Sequence, residues 1–422
     1  MIGQGSRESP IVAAQPDGLA LMLGGGGARG AYQAGVLRGL ARRFPDLRFP
    51  IMTGISAGAI NTIHLASHDV SLSEATEELI ALWLALTPEQ VYDVRAVPLF
   101  GNVMRWSGRL LSGGAGTGPE PIRGMVDTQP LRRFLGRNLE QEADGALAGI
   151  ARNIARGSLD AVALSATSYA TGQSMTWVEG RDIRLWQRPQ RRSQSTRLTL
   201  EHVMASSALP VLFPAVRVGD EWFGDGGIRM TAPLSPALHL GATRILTIST
   251  RRRPARIHVD ASLSRRYPSP AQVFGVLYNS VFLDLIDEDI LRLKRVNRLL
   301  ANVAPEKRAD MRQVGIMVIR PSQDLRTLVR ELEPRLPSFI RYLTRGLGTR
   351  EATSPDFLSL FMFQPDYIRR LIELGEADAE SQASRVEAFL RCPMAADGRE
   401  MRRIAQIGTD RQPAGVPVTH GG

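Results

Sequence analysis

A serine at position 56 stands between two glycines in a pattern that suits a catalytic nucleophile. Residues 54–58 read Gly-Ile-Ser-Ala-Gly. Gly54 and Gly58 permit a sharp strand-to-helix turn, because side chains there would clash with neighbouring backbone. Such a turn, a nucleophile elbow, lifts the Ser56 hydroxyl out of the backbone with a helix N-terminus behind it. The pentapeptide alone is a weak signal in a chain with 40 glycines, so it needs companions.

A run of four glycines at positions 24–27, followed by Ala-Arg-Gly, is the first companion. A glycine loop at a helix N-terminus exposes backbone N–H groups and lets a substrate approach closely. The amides of Gly25, Gly26 and Gly27 could therefore donate to the oxyanion that develops during acyl transfer. Arg29 could hold the loop or a phosphate, and a structural or solvated role is equally compatible with its position.

Acyl transfer also needs a base, and the histidines do not supply an obvious one. An α/β-hydrolase carries its serine, acid and histidine in that chain order, and its elbow follows more than one strand. His64 is expected on a helix face, and His202 and His239 lie in apolar helical contexts that are typical of core histidines. The histidines that follow the serine, none of them in a recognisable loop motif, are His64, His68, His202, His239, His258 and His420.

A carboxylate is the stronger candidate for the base. Asp225 lies in Gly-Asp-Gly-Gly at positions 224–227, directly after a predicted strand. Gly226 and Gly227 permit close backbone approach to the carboxylate. Asp-Gly is also a common turn pair, so on this pattern alone a structural role for Asp225 stays open.

Strands and helices alternate around these motifs. The apolar run at 18–23 stops at the glycines, as a buried parallel strand would, and a helix at 31–43 follows it. A strand at 49–53 leads into the serine, and a buried helix follows at 57–65. This order predicts an α/β fold with parallel strands. The other predicted elements are a helix after a capping box at 71–74, strands at 160–168, 173–179 and 244–250, helices at 200–207 and 234–240, and a hairpin of 215–218 with 221–223.

Together, the three stretches resemble the patatin-like phospholipase family. Residues 25–30 look like its oxyanion motif G-G-G-x-[KR]-G, residues 54–58 match its serine motif, and residues 225–227 match its D-G-[GA] motif. Residues 205–210, with Phe213-Pro214, are similar to the family's segment just before the aspartate. The order and spacing agree from about residue 18 to residue 250.

The resemblance implies a patatin-like three-layer fold with a mostly parallel central sheet flanked by helices. It also implies a Ser–Asp dyad without histidine, in which Ser56 attacks an ester carbonyl and Asp225 takes its proton and later activates water. The substrates would be phospholipids, lysophospholipids or other fatty acyl esters, with neither a metal nor another cofactor. The implied site comprises the catalytic Ser56 and Asp225, an oxyanion hole of Gly25, Gly26, Gly27 and Arg29, and supporting glycines Gly54, Gly58, Gly226 and Gly227.

The predicted catalytic domain spans residues 18–250, after a segment at 1–17 that is expected to be flexible. Within it, the hydrophobic pattern breaks down over residues 88–128, which indicates a surface excursion that could be a lid. Residues 251–408 are expected to be mainly helical, with one strand candidate at 314–319. The resemblance does not cover this region, and its role is open. Residues 409–422 are expected to be a flexible tail.

The net charge of +10 comes almost entirely from arginine. A basic protein favours anionic partners such as lipid head groups, although arginine richness can equally reflect the composition of the source genome. No aromatic-interleaved motif accompanies the arginines, so no nucleic-acid partner is expected. The sequence does not indicate an oligomeric state.

Several features predict a cytoplasmic protein that works peripherally at membranes. Residues 1–17 lack the apolar core of a secretory signal. The single cysteine, Cys392, excludes an internal disulfide and fits a reducing compartment. Residues 49–68 carry no Asp, Glu, Lys or Arg over the length of a membrane span, but Pro50 and the elbow favour buried strand, turn and helix.

Two other functions remain open from the sequence. Residues 25–30 also satisfy the dinucleotide fingerprint, which requires an acidic residue at the end of the second strand. Asp46 lies before that strand, which ends in the elbow instead. The alternative from another class is a non-catalytic basic protein that binds anionic membrane surfaces. It predicts that Ser56 can be replaced without loss and that binding weakens with salt.

Overall fold

The computed structural model describes residues 18–93, 124–252, 285–309, 311–325 and 359–391, together with positions 273 and 328. The predicted tail, the segment at 1–17 and most of the predicted excursion at 88–128 lie outside these residues. The strands are β1 (Leu19–Leu23), β2 (Ile51–Ile55), β3 (Ala161–Ser168), β4 (Ser174–Gly180), β5 (Gln187–Arg188), β6 (Arg191–Ser195), β7 (Val216–Val218), β8 (Glu221–Asp225), β9 (Arg244–Ile248) and β10 (Gly315–Ile319).

Helices lie between and around these strands. They are α1 (Gly30–Arg43), α2 (Ala57–Ser67), α3 (Leu72–Ala85), α4 (Pro88–Val91), α5 (Gln129–Asn138), α6 (Ala148–Arg156), α7 (Leu200–Ser206), α8 (Ser235–His239), α9 (Leu285–Leu300), α10 (Pro365–Ser381) and α11 (Ala383–Arg391). Single 3₁₀ turns occur at Gly27–Arg29, Gly226–Ile228 and Pro305–Lys307.

The described strands form one ten-stranded sheet, eight of them in the order β10-β9-β1-β2-β3-β4-β6-β5. Of the other two, β8 pairs with β3 and β7 pairs with β8. The first five strands in that order run parallel, whereas β4 pairs antiparallel with β3. Leu23 lies opposite Gly54 across β1 and β2, so the glycine loop and the elbow leave neighbouring strands at the same level. This is the carboxyl edge of the parallel sheet, where α/β proteins place their ligands.

The short strand β8 brings Asp225 to the same edge. Its partner β3 pairs with β2 up to Ser165, and with β8 from Ala166 onward, where Ala166 lies opposite Asp225. The other edge of β3 is occupied by β4, so β8 continues the line of β2. The β7–β8 hairpin turns at Gly219-Asp220, as the sequence predicts.

Helices cover both faces of the sheet, which confirms the predicted fold class. Leu19, Leu21 and Leu23 face one hydrophobic core, which α1, α2, α3 and α10 complete. Ala20 and Met22 face the other core, against α8 and α9. Every residue of β1, β2, β3 and β9 is buried, as expected for parallel strands covered on both sides.

The predicted capping box before α3 and the predicted burial of α2 are confirmed, and α1 has one buried and one exposed face. Val36, Leu37 and Leu40 of α1 are fully buried, whereas Arg42 and Arg43 are exposed. Ser71 and Glu74 form the capping box at the start of α3. Helix α2 is buried along its length up to Ala66.

Elements beyond residue 250 pack into the same structure. The predicted strand at 314–319 is β10, which pairs with β9 in parallel. Helix α10 lies so close to α1 that a Cβ on Gly35 would be 2.2 Å from the Ile372 carbonyl oxygen. The division of the chain at residue 250 stays a prediction, but these described C-terminal elements share the core of the preceding ones.

Candidate active site

The turn at Ser56 has the backbone conformation of an elbow. Ser56 connects β2 to α2 with φ 57° and ψ −128°. Residues other than glycine rarely adopt this backbone conformation. A Cβ on Gly58 would lie 2.2 Å from the Leu23 carbonyl oxygen, and one on Gly54 would lie 2.6 Å from Thr62 Oγ1. The two glycines are therefore required by close packing of the turn against β1 and α2.

Two serines at the end of α7 hold the elbow backbone from both sides. Ser206 Oγ accepts a hydrogen bond from the Ser56 amide at 3.0 Å and donates to the Ser165 carbonyl at 2.7 Å. Ser207 Oγ donates to the Ser56 carbonyl at 3.1 Å. The unusual backbone conformation of Ser56 is thus held by hydrogen bonds from a segment 150 residues away in sequence.

The same segment anchors Asp225, the last residue of β8. The Asp225 amide donates to the Ala208 carbonyl at 2.8 Å, and Thr167 Oγ1 donates to the Asp225 carbonyl at 2.9 Å. A Cβ on Gly226 would lie 2.2 Å from the Ser165 carbonyl oxygen and 3.0 Å from Ile55 Cγ2. Asp225 is therefore held immediately beside the residue that precedes the elbow serine.

The Asp225 carboxylate is fully buried and close to the Ser56 side chain. Burial raises the pKa of Asp225 from 3.8 to about 7. The Ser56 hydroxyl and the Gly227 amide lower this pKa in part, and the Gly227 amide donates to Asp225 Oδ1 at 2.8 Å. The buried Oδ2 atom of Asp225 has no hydrogen-bond partner among the described residues. Catalytic hydrogen bonds are often loose before substrate binds.

The glycine loop passes directly beside the serine. A Cβ on Gly25 would lie 3.1 Å from Ser56 Cβ and 3.6 Å from its Oγ. Thr250 Oγ1 donates to the Gly25 carbonyl at 3.0 Å, and it would lie 2.8 Å from a Cβ on Gly26, whose φ is 157°. Gly27, with φ 54°, packs against the Leu360 carbonyl. The loop is therefore tightly packed against Ser56, Thr250 and Leu360.

Arg29 is buried rather than solvated. Its side chain is 1% exposed, and its Nε donates to Ser359 Oγ at 2.7 Å. Its amide donates to the Gly26 carbonyl at 3.0 Å. Arg29 thus connects the glycine loop to the C-terminal segment, so a merely solvated position for its side chain is wrong.

A buried polar network behind the loop was not predicted from the sequence. Gln33 Nε2 donates to the Gly24 carbonyl at 2.9 Å, and Asn61 Nδ2 donates to Gln33 Oε1 at 3.0 Å. Trp83 Nε1 in turn donates to Asn61 Oδ1 at 2.8 Å. The available signal was an amide side chain within a run of small and mostly apolar residues at the start of each of α1 and α2. These contacts join α1, α2 and α3 to the start of the loop.

The described histidines are engaged away from the serine. His64 is buried with Nε2 3.1 Å from the Ala75 carbonyl oxygen, and burial lowers its pKa to about 3. His202 Nδ1 accepts from the Thr199 amide in a helix cap, and burial lowers its pKa to about 4. Within the described residues, no histidine is hydrogen-bonded to Ser56 or Asp225, so the triad gains no support. His258 and His420 lie outside those residues.

Comparison with protein families gives a direct assignment. The family model described as patatin-like phospholipase matches residues 21–238, more than half of the chain. The chain belongs to the patatin-like phospholipase family. Membership implies a lipid acyl hydrolase, an enzyme that cleaves esters of lipids. The dinucleotide interpretation is not supported, since β2 ends at the elbow without an acidic residue.

The chain is similar to solved structures of bacterial and human proteins. One is VipD from Legionella pneumophila, with 12% identity, a TM-score of 0.31 and coverage of 97% of this chain and 85% of that chain. Another is human GIVD cytosolic phospholipase A2, with 12% identity, a TM-score of 0.42 and coverage of 88% of this chain and 60% of that chain. A third is the ExoU–SpcU complex of Pseudomonas aeruginosa, with 14% identity, a TM-score of 0.26 and coverage of 95% and 84%.

The chain spans less than two thirds of the human protein it resembles. A comparison with proteins of curated function finds no match. Within the described part of the chain, no helix combines the length and apolar character needed to cross a bilayer.

Proposed function

We propose that the protein is a serine acyl hydrolase of the phospholipase A or lysophospholipase type, acting through Ser56 and Asp225. The observation that carries this proposal is the shared anchorage of the two residues. Residues 206–208 bind the Ser56 backbone on both sides and also the Asp225 amide. A strained serine and a fully buried carboxylate are thereby held together at the carboxyl edge of a parallel sheet.

In the proposed mechanism, Ser56 Oγ attacks the carbonyl carbon of a fatty acyl ester while Asp225 takes the hydroxyl proton. The tetrahedral intermediate collapses, and Asp225 returns that proton to the leaving alkoxide, which departs as an alcohol. Asp225 then takes a proton from water, whose oxygen attacks the acyl-enzyme. The fatty acid leaves, and the proton returns to Ser56. A pKa near 7 suits Asp225 for accepting and donating a proton at neutral pH.

The proposed oxyanion hole consists of backbone amides from Gly25, Gly26 and Gly27. The contact of Gly25 with the Ser56 side chain supports this placement. One donor of this kind is typically worth about 100- to 1000-fold in rate. We assign Arg29 the role of holding the loop in position through its amide bond to Gly26 and its side-chain bond to Ser359. Neither a metal nor an organic cofactor enters this scheme.

We further propose that the site meets the lipid surface beside Tyr169 and Trp222. Both side chains are 48% exposed, and the Tyr169 amide donates to the Trp222 carbonyl at 2.9 Å. Burial and the nearby Asp225 carboxylate raise the pKa of Tyr169, so its ring lies within the field of the proposed base. Exposed aromatic rings favour the interface between water and lipid. Such contact would make the enzyme peripheral at membranes.

Labelling with a fluorophosphonate probe tests the mechanism. Wild-type protein, Ser56→Ala, Asp225→Asn and Ser67→Ala would be compared, with mass mapping of the adduct. Ser67 is a suitable control because its buried hydroxyl has no hydrogen-bond partner among the described residues. We expect an adduct on Ser56 in the wild type and Ser67→Ala, none in Ser56→Ala, and strongly slowed labelling in Asp225→Asn.

The same proteins separate the proposal from a non-catalytic membrane binder. Hydrolysis of diacyl phosphatidylcholine and of its lyso form would assign the lipid type. If the folded Ser56→Ala variant hydrolysed these lipids at the wild-type rate, the mechanism would be refuted. Absence of both labelling and hydrolysis in folded wild-type protein, together with liposome binding that weakens with salt, would favour the binder.

A further inference from the structure

We infer that His64, His68 and Glu78 form a binding site for a divalent transition-metal ion of the Zn²⁺ type, at the junction of α2 and α3. Each side chain offers one ligand atom, and the three atoms lie within 4.8 Å of one another. The site takes no part in the proposed hydrolysis and does not depend on it. Its function would be to connect the helix that begins behind Ser56 to the next helix.

The two histidines share one face at the end of α2. Residues four apart on a helix are neighbours, and the rings of His64 and His68 have centroids 3.9 Å apart. Glu78 reaches them from α3, where its Oε2 lies 2.6 Å from His68 Nε2. Ligands therefore converge from both helices.

One nitrogen of each histidine ring faces a backbone carbonyl oxygen, which leaves the other nitrogen of each ring toward a possible metal ion. His64 Nε2 faces the Ala75 carbonyl oxygen at 3.1 Å, and His68 Nδ1 faces the His64 carbonyl oxygen. A metal-binding histidine usually donates its other N–H in this way, which fixes its tautomer and orientation. His64 Nδ1 then remains without a partner among the described residues, and His68 Nε2 is paired with Glu78 Oε2, a pairing that a metal ion would replace.

His64 Nδ1 provides the second, independent observation. The residue is 3% exposed, and this atom is buried without a hydrogen-bond partner among the described residues. An unsatisfied buried polar atom is costly, so native structures usually give it a partner. A metal ion between the two rings and the carboxylate would supply that partner.

The backbone that carries the ligands is held in place from α6. Asn153 Nδ2 donates to the carbonyls of Ala66 and His68, both at 2.9 Å. The last turn of α2 is thus fixed without a metal. The two histidines lie about 12 Å and about 18 Å along the helix direction from Ser56, taking 1.5 Å per residue.

The ligand set indicates the kind of ion. Two imidazoles and one carboxylate suit Zn²⁺ and similar first-row ions, whereas Mg²⁺ and Ca²⁺ favour all-oxygen sites. Three protein ligands leave a fourth tetrahedral position for water. The competing explanation is an ion pair between protonated His68 and Glu78, with no metal.

The test is a titration of the chelator-treated full-length protein with Zn²⁺, followed by calorimetry and metal analysis. Co²⁺ absorption spectra would report tetrahedral coordination. The variants are His68→Gln and Glu78→Gln, the latter on a side chain that is 54% exposed and tolerant of change. The controls are Glu77→Gln, whose carboxylate pairs with Arg38 and Arg42, and His239→Gln on α8.

We expect one Zn²⁺ per chain in the wild type and both controls, with affinity at least about 10-fold weaker in His68→Gln and Glu78→Gln. Zn²⁺ should also raise the melting temperature of the wild type and the controls more than that of the two variants. Equal affinity in all five proteins, or no stoichiometric binding to the wild type, would overturn the inference and leave the ion pair as the explanation.

Discussion

Ser206 Oγ lies 3.0 Å from the Ser56 amide nitrogen, whose hydrogen bond it accepts inside the protein. This contact satisfies the backbone donor of Ser56, the strained residue of the elbow, and the Ser206 hydroxyl in turn donates a hydrogen bond to the Ser165 carbonyl. The elbow conformation therefore depends on α7 as well as on its own glycines.

Ser206→Ala should lower both stability and hydrolysis. The Ser56 amide would lose its buried acceptor, which typically costs about 1–3 kcal/mol in the free energy of unfolding. Ser207→Ala is the matched comparison, because the Ser56 carbonyl also accepts from the Ala59 amide at 2.8 Å and keeps a partner. Denaturant titration and ester hydrolysis would measure both effects. Equal losses in the two variants would contradict the prediction.

Hydrolysis should increase with pH through about 7 and level off above it. Asp225 must be ionised to take the serine proton, and burial raises its pKa to about 7. The profile of kcat/KM for a soluble ester, whose own ionisation does not change in this range, would check this. A rate that is flat between pH 5 and 8 would show that Asp225 does not limit the reaction.

Asp225→Asn should be more stable than the wild type at neutral and higher pH. The aspartate titrates at an ordinary 3.8 when unfolded and at about 7 when folded. Between these values the folded state binds more protons, so its stability decreases as pH rises. The full difference corresponds to about 4 kcal/mol. Unfolding measured at pH 4 and pH 8 should show the advantage of Asn only at pH 8, while hydrolysis is lost at both.

Gly25→Ala should impair hydrolysis far more than Gly24→Ala. The new Cβ at position 25 would lie 3.1 Å from Ser56 Cβ and would displace the proposed oxyanion donors. At Gly24 there is open space, with no atom within 4 Å of the corresponding Cβ. We expect a loss of about 100-fold or more in kcat for Gly25→Ala. Steady-state kinetics would compare the two variants, with circular dichroism as a check on folding. Similar kcat values for Gly25→Ala and Gly24→Ala would show that Gly25 is not part of the oxyanion hole.

Trp222→Ala should reduce hydrolysis of vesicles but not of a soluble short-chain ester. The substitution removes an exposed aromatic side chain three residues before Asp225. Leu185→Ala, at a position that is 55% exposed, is the control for general loss of surface hydrophobicity. Parallel assays on anionic vesicles and soluble ester would be used. Equal effects of the two substitutions on vesicles would argue against a lipid contact at Trp222.

Much of the fold and the outline of the site could be predicted from local patterns. Close approach of backbone atoms demands glycine at positions 27, 54 and 58, and close side chains of Ser56 and Thr250 crowd Gly25 and Gly26, which leaves a direct mark on the sequence. The buried strands appear as short apolar runs, and the capping box of α3 is a local hydrogen-bond pattern. The three motifs could therefore be identified, together with their order along the chain.

The relations among distant segments could not be read in this way. Nothing local to Ser206 indicates that it accepts from Ser56, or that His64 and His68 meet Glu78 across a helix junction. The buried network of Gln33 and Asn61 likewise depends on how three helices pack. Such contacts join side chains whose types are common, so their meaning comes only from position in space.

The sequence by itself determined where a nucleophile, an oxyanion loop and an acidic partner could stand, because sharp turns restrict residue type locally. The tertiary structure alone decided that Asp225 is fully buried beside the Ser56 side chain, since β8 continues the line of β2 along β3. Burial is the sum of contacts from many segments, and burial is what raises the pKa of Asp225 to about 7.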